Sequence, residues 1–140
     1  MRVLGIDVGR RRVGLAVSDS TGTLARPLDT LTVGSAREAV DLVVRAIDRL
    51  RAEDDGLERI VVGMPARLDG TPTSATADVV AFVAALQART RLPIVTEGEQ
   101  LTSREAESRI AMRERDWKKR KAKLDAAAAA IILQDHLDRG

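Results

Sequence analysis

Two apolar runs flank a short basic turn at the start of the chain, in Val3-Leu4-Gly5-Ile6-Asp7-Val8-Gly9-Arg10-Arg11-Arg12-Val13-Gly14-Leu15-Ala16-Val17-Ser18-Asp19. This arrangement predicts a β-hairpin. The first run is apolar at positions that face both sides of a strand, as expected for a strand that is covered on both faces. Asp7 interrupts this run, and a buried carboxylate must be hydrogen-bonded, ion-paired or bound to a cation. Asp7 is therefore either a cap on the turn or a functional carboxylate.

The length and composition predict one folded domain over residues 1–140. Hydrophobic residues at 44% and charged residues at 31% are typical of a globular protein and exclude a disordered chain. No apolar run reaches the roughly 18 residues of a membrane span, and no signal peptide precedes the first strand, so we expect a cytoplasmic protein without a membrane partner. Cysteine is absent, which excludes disulfides and thiolate metal sites.

Basic charge is concentrated in two places, although the net charge is only +2. One place is the turn that contains Arg10, Arg11 and Arg12. The other contains Lys118, Lys119, Arg120, Lys121 and Lys123. Proteins that bind single strands usually stack bases on several aromatic side chains, and this chain has only Phe82 and Trp117. A nucleic-acid partner would therefore be held through its phosphates and its shape, while the alternative for the second basic segment is a solvated face.

The order of predicted elements indicates an α/β fold. The third strand, residues 24–33, contains Pro27 and should lie toward a sheet edge. Capping-box patterns predict helices from Ser35 to about Ala52 and from Thr102 toward Arg115. Further strands are predicted at 59–64 and 93–97, and further helices at 74–89 and from Asp125 to the stop at Gly140. A three-strand antiparallel meander followed by βαβ units predicts a mixed sheet with helices on both faces.

Four carboxylates lie where predicted elements begin or end, namely Asp7, Glu97, Glu99 and Asp125. Carboxylate oxygens suit Mg²⁺ or Mn²⁺, and two such ions can hydrolyse a phosphodiester without cysteine, a histidine cluster or an organic cofactor. The alternatives are that Asp125 is a helix N-cap and that Glu97 and Glu99 are solvated loop acids. His136, the single histidine, is expected at the surface. From the residues themselves, the carboxylates are therefore either the site of a metal-dependent phosphodiesterase or structural and solvated acids.

The sequence resembles the YqgF/RuvX family of the RNase H-like superfamily in an ordered set of segments along essentially the whole chain. These segments are Gly5-Ile6-Asp7-Val8-Gly9 with residues 13–19, then 25–28, 62–65, 68–71, 100–106 and 123–134. The resemblance implies an RNase H-like fold, with a five-stranded mixed sheet whose first three strands are antiparallel. It also implies an acidic site of Asp7, Glu99 and Asp125 that binds Mg²⁺ or Mn²⁺, with two ions expected.

The resemblance implies a nuclease that acts on structured nucleic acid, and we expect it to process the 5′ end of the 16S ribosomal RNA precursor. The first alternative is a resolvase of four-way DNA (Holliday) junctions, which should be a symmetric homodimer. The second alternative is a nucleic-acid-binding module without catalysis, because this chain reads Gly98-Glu99-Gln100 where family members usually read Asp-Glu-Arg. We hypothesise that Glu97 supplies part of the missing negative charge as a further metal ligand.

Overall fold

The computed structural model of the chain describes residues 1–65, 71, 73–98 and 117–139. Five strands and three helices occupy the described residues. In chain order they are β1 (Arg2–Val8), β2 (Arg12–Ser18), β3 (Ala25–Thr32), α1 (Ala36–Ala52), β4 (Leu57–Met64), α2 (Ser74–Gln87), β5 (Ile94–Gly98) and α3 (Trp117–Arg139). The predicted turn at Asp69-Gly70 and the predicted helix from Thr102 toward Arg115 lie outside the described residues.

The five strands form one mixed sheet in the order β3-β2-β1-β4-β5. The β1–β2 and β2–β3 pairs are antiparallel, while β1–β4 and β4–β5 are parallel. The predicted antiparallel meander and the predicted mixed sheet are therefore confirmed. The third strand is an edge strand, as the Pro27 position indicates, and its register with β2 shifts next to that proline.

Side chains alternate across the sheet and form a separate apolar cluster on each face. On one face, Leu4, Ile6, Leu15 and Val62 pack beneath α1 and α2. On the other face the cluster is made of smaller residues together with α3, and its buried members are Val3, Ala16, Val61, Ala129, Ile132 and Leu133. The prediction of helices on both faces is confirmed.

The first helix forms as its sequence predicts. Ser35 is the N-cap, and its hydroxyl accepts a hydrogen bond from the Glu38 amide at 3.1 Å. The Glu38 carboxylate accepts in turn from the amide of Gly34 at 3.0 Å, so two amides at the helix start are satisfied. The buried stripe of α1 consists of Ala39, Val40, Val43, Ala46, Ile47 and Leu50.

The last helix begins eight residues earlier than predicted, at Trp117 instead of Asp125. Lysine, arginine, alanine and leucine are strong helix formers, and no glycine or proline separates the basic segment from the alanine run. Asp125 therefore lies inside α3, and its interpretation as a helix N-cap is wrong. Gln134 fixes the helix over the sheet edge, because its side chain accepts from the Ala25 amide and donates to the Thr23 carbonyl, each at 2.9 Å. Within the described part of the chain, no helix is both long and apolar enough to span a bilayer.

Candidate functional site

Asp7 lies within β1 and not in the turn beyond it. It is the next-to-last residue of the strand, is directly opposite Gly14 of β2 and is half-buried. Strand alternation puts Asp7 on the same face as Val3 and Gly5, which is the face that α3 covers. The Asp7 side chain therefore lies near the end of β1, on the face of the sheet that α3 covers.

Asp125 is brought to the same place because Gly14 lets α3 approach β2 closely. A Cβ atom on Gly14 would lie 2.0 Å from the Asp125 carbonyl oxygen, which is a steric clash. Glycine has no Cβ atom, so only glycine allows this close approach. Directly opposed residues of antiparallel strands have Cα atoms about 4.5–5.5 Å apart. Since Gly14 is the partner of Asp7, the first-strand aspartate and the helix aspartate share one corner of the molecule.

Arg12 completes this corner. It is the first residue of β2, and its Nε lies 2.9 Å from Oδ2 of Asp125 in an ion pair. The two side chains are only 30% and 26% exposed, so solvent screens this pair less than it screens a surface pair. A positive charge therefore sits directly on one of the predicted metal-binding carboxylates.

The three arginines of the turn do not act as one surface. Arg10 pairs through Nε with Oδ2 of Asp78 on α2 at 3.1 Å, on the opposite side of the sheet from Asp7. The Arg11 carbonyl accepts from the Val33 amide, and its side chain is exposed. The sequence contains a signal for this separation, because side chains alternate along a strand. Arg12 shares one face of β2 with Gly14 and Ala16, whereas Arg11 does not.

Glu97 belongs to the same row of the sheet but is occupied by other partners. In β4, Val62 is paired with Ile6 of β1, and the next residue, Gly63, is paired with Glu97 of β5. Because Asp7 follows Ile6, the Asp7 and Glu97 positions are about two strand spacings apart, roughly 9.6 Å. Glu97 is 7% exposed, forms an ion pair with Arg139, and approaches Nδ1 of His136 at 3.5 Å. These contacts favour a structural role for Glu97 over the hypothesised metal role.

His136 is not the surface residue that the sequence suggests. Its side chain is 21% exposed, and its Nε2 accepts a hydrogen bond from Nε of Arg59 at 3.2 Å. An acceptor at Nε2 leaves the ring proton on Nδ1, which faces the Glu97 carboxylate. The histidine therefore links β4, β5 and the end of α3.

The remaining predicted site residues are only partly described. Glu99 lies outside the described residues, so its predicted catalytic and metal roles stay predictions. The basic segment occupies the first two turns of α3, where the structure describes the backbone of Lys118, Lys119, Arg120, Lys121 and Lys123. Across 1–65, 71, 73–98 and the end of α3, no group of three metal-ligand side chains is found. The described part of the site is thus the pair Asp7 and Asp125 with Arg12.

A separate open groove of about 1000 Å³ lies between α1 and α2 on the other face of the sheet. Its apolar floor includes Val40 and Phe82, and its rim carries the ion pairs Arg10–Asp78 and Arg89–Asp41. The groove does not include Asp7 or Asp125. The large groove therefore does not coincide with the predicted catalytic carboxylates. The corner that contains Asp7 and Asp125 remains the candidate site.

Comparison with known proteins supports the fold. The chain resembles RuvC from Thermus thermophilus, solved in complex with a Holliday junction substrate, with a TM-score of 0.55 and 19% identity over 99% of this chain and 94% of that one. Structural similarity at this identity establishes the fold, and the predicted RNase H-like architecture is confirmed.

Sequence relatives extend over the full length. A protein of Anaeromyxobacter dehalogenans is 40% identical over 139 residues, covering 99% of this chain and 98% of the relative. A protein of Syntrophus aciditrophicus is 37% identical over 138 residues, covering 99% of this chain and 89% of the relative. Both are provisionally named pre-16S rRNA nucleases. The family sequence model described as "RuvX: Holliday junction resolvase" matches residues 1–139, and the chain belongs to this RuvX family.

Proposed function

We propose that this protein is a metal-dependent nuclease that hydrolyses phosphodiester bonds of structured nucleic acid and processes the 5′ end of the 16S ribosomal RNA precursor in the cytoplasm. The observation that carries the proposal is the meeting of Asp7 and Asp125 at one corner of the sheet, on either side of Gly14. The names of the full-length relatives support the ribosomal RNA substrate.

The residues at this corner fit a hard divalent cation. Asp7 and Asp125 offer only oxygen donors, and both are half-buried on elements fixed by the sheet. Mg²⁺ or Mn²⁺ would be held by these two carboxylates, with Glu99 as the predicted third ligand. When bound, two such ions would activate water and stabilise charge on the leaving oxygen.

The other residues of the site would bind and orient the nucleic acid. Arg12 lies beside Asp125 at the start of β2, and Arg11 is its exposed neighbour in the hairpin turn. The backbone of the basic segment begins two turns before Asp125 on the same helix. We therefore expect the hairpin arginines and the basic segment to supply the charge that binds phosphates near the cleavage site. Because phosphate contacts release counterions, we expect nucleic-acid affinity to fall steeply with salt.

The test compares wild type with Asp7→Asn on a labelled 5′ fragment of the 16S precursor in Mg²⁺ or Mn²⁺. Asp7→Asn should lose at least about 100-fold in cleavage rate with its RNA affinity within about twofold of wild type. The matched control is Asp48→Asn, an exposed acid on α1 across the sheet, which should cleave normally. Equal cleavage by wild type and Asp7→Asn would refute the proposed site, and a wild type that binds but never cleaves would favour the non-catalytic module.

Four-way DNA junctions are the second candidate substrate, because the matching family carries the description of a Holliday junction resolvase. The same assay with a labelled junction separates the two substrates. A resolvase should make paired symmetric cuts and behave as a homodimer at working concentration. Cleavage of the junction alone, by a dimer, would replace the ribosomal RNA assignment.

A further inference from the structure

The ion pair between Arg12 and Asp125 has a consequence for metal binding that rests on the proposed function. Nε of Arg12 lies 2.9 Å from Oδ2 of Asp125, and this oxygen is fully covered. A cation and a guanidinium compete for the same carboxylate oxygen, because both are attracted by its charge and both need to approach it closely. We infer that Arg12 is a built-in counterion of Asp125 that a divalent metal must displace.

The backbone explains why this competition is enforced. Arg12 is the first residue of β2 and is paired with Thr32 of β3, so the strand fixes where its side chain starts. Asp125 is fixed by the close contact of its carbonyl with Gly14, two residues further along the same face of β2. Neither residue can move away on its backbone, so the guanidinium must leave by rotation of the side chain.

Displacement of Arg12 would also change what the guanidinium can bind. In the structure its charge is matched by Asp125, and binding of a metal to that carboxylate would make it available beside the carboxylate corner. A planar guanidinium binds phosphate oxygens well, so the released side chain would favour a nucleic-acid backbone at that corner. Arg12 therefore acts as a positioning residue that couples metal loading to phosphate binding.

The test measures Mn²⁺ affinity by calorimetry for wild type, Arg12→Gln, Arg12→Lys and Arg11→Gln, without nucleic acid. Arg12→Gln removes the competitor and should bind Mn²⁺ about five- to tenfold more tightly than wild type. Arg12→Lys keeps a cation beside Asp125 and should stay within about threefold of wild type. Arg11→Gln removes the same charge from the same turn and controls for the general electrostatic effect, which should be under about twofold.

Thermal unfolding gives a second measurement of the same competition. Saturating Mn²⁺ should raise the Tm of Arg12→Gln more than that of wild type, because no ion pair is lost when the metal binds. Equal or weaker Mn²⁺ binding by Arg12→Gln would overturn the inference while leaving the proposed nuclease intact. An equal gain in Arg12→Gln and Arg11→Gln would overturn it as well. Absence of Mn²⁺ binding in every variant and in wild type would overturn both the inference and the proposed metal site.

Discussion

Substitution of Gly14 by alanine should separate Asp125 from Asp7 without removing either carboxylate. The added Cβ would lie 2.0 Å from the Asp125 carbonyl oxygen, against an ordinary contact of at least 3.4 Å, so α3 must move by about 1.4 Å. Overpacking of this kind costs roughly 1–3 kcal/mol of unfolding free energy. A displacement of about 1 Å at reacting groups costs roughly 100-fold in rate, so we expect cleavage to fall by at least that factor.

Two measurements on Gly14→Ala check this expectation, namely urea unfolding and single-turnover cleavage of the labelled precursor. The matched control is Gly34→Ala, because its added Cβ would meet only the Glu38 carboxylate, at 4.0 Å. This control should change the unfolding free energy by less than about 0.5 kcal/mol and leave cleavage unchanged. The reasoning is refuted if Gly14→Ala is as stable and as active as Gly34→Ala.

Two further predictions concern stability alone. Ser18→Ala should lose about 1–3 kcal/mol in urea unfolding, because the buried hydroxyl accepts from the Val3 amide at 2.8 Å and the amide would be left unpaired; a loss below 0.5 kcal/mol would contradict this. Hydrogen bonds from the Thr21 hydroxyl and from the Thr23 and Leu24 amides lower the pKa of Asp19 from 3.8. This stabilisation is present above that pH and is lost as pH falls through the lowered pKa, so Asp19→Asn should show a shallower acid decline of unfolding free energy than wild type. Identical acid slopes for the two proteins would count against the Asp19 contacts.

Local sequence patterns predict most of the helices and strands. The stripe and cap of α1 follow from helical spacing and from Ser35 and Glu38, and both are formed by residues a few positions apart. The same holds for β1, where an apolar run without a polar face indicates burial on both sides. The helix α2 shows the limit of this approach, because Val79, Val80 and Phe82 are all apolar, yet Val80 is 54% exposed while Val79 and Phe82 are buried.

The long-range ion pairs of the candidate carboxylates could not be predicted from local sequence patterns. Arg12 meets Asp125 from a distant part of the sequence, and Glu97 meets His136 and Arg139 in the same way. Each pair depends on how α3 crosses the sheet, which tertiary packing decides. The early start of α3 at Trp117 differs from the predicted start for another reason. A run of lysine and arginine has high helix propensity but no apolar stripe. A prediction based on the spacing of apolar residues therefore places the start of this helix too late.

The position of α3 at the end of the described chain has a consequence for how the protein is made. During synthesis, β1 and β2 leave the ribosome before α3 does, and Val3 and Ala16 belong to a face that α3 later buries. Asp125 and the apolar residues that bury this face emerge more than a hundred residues later. The nascent chain therefore holds half of the proposed site and an uncovered sheet face. A chain assembled in this order completes the proposed Asp7–Asp125 site only when α3 docks, so a chain that ends before α3 should not cleave.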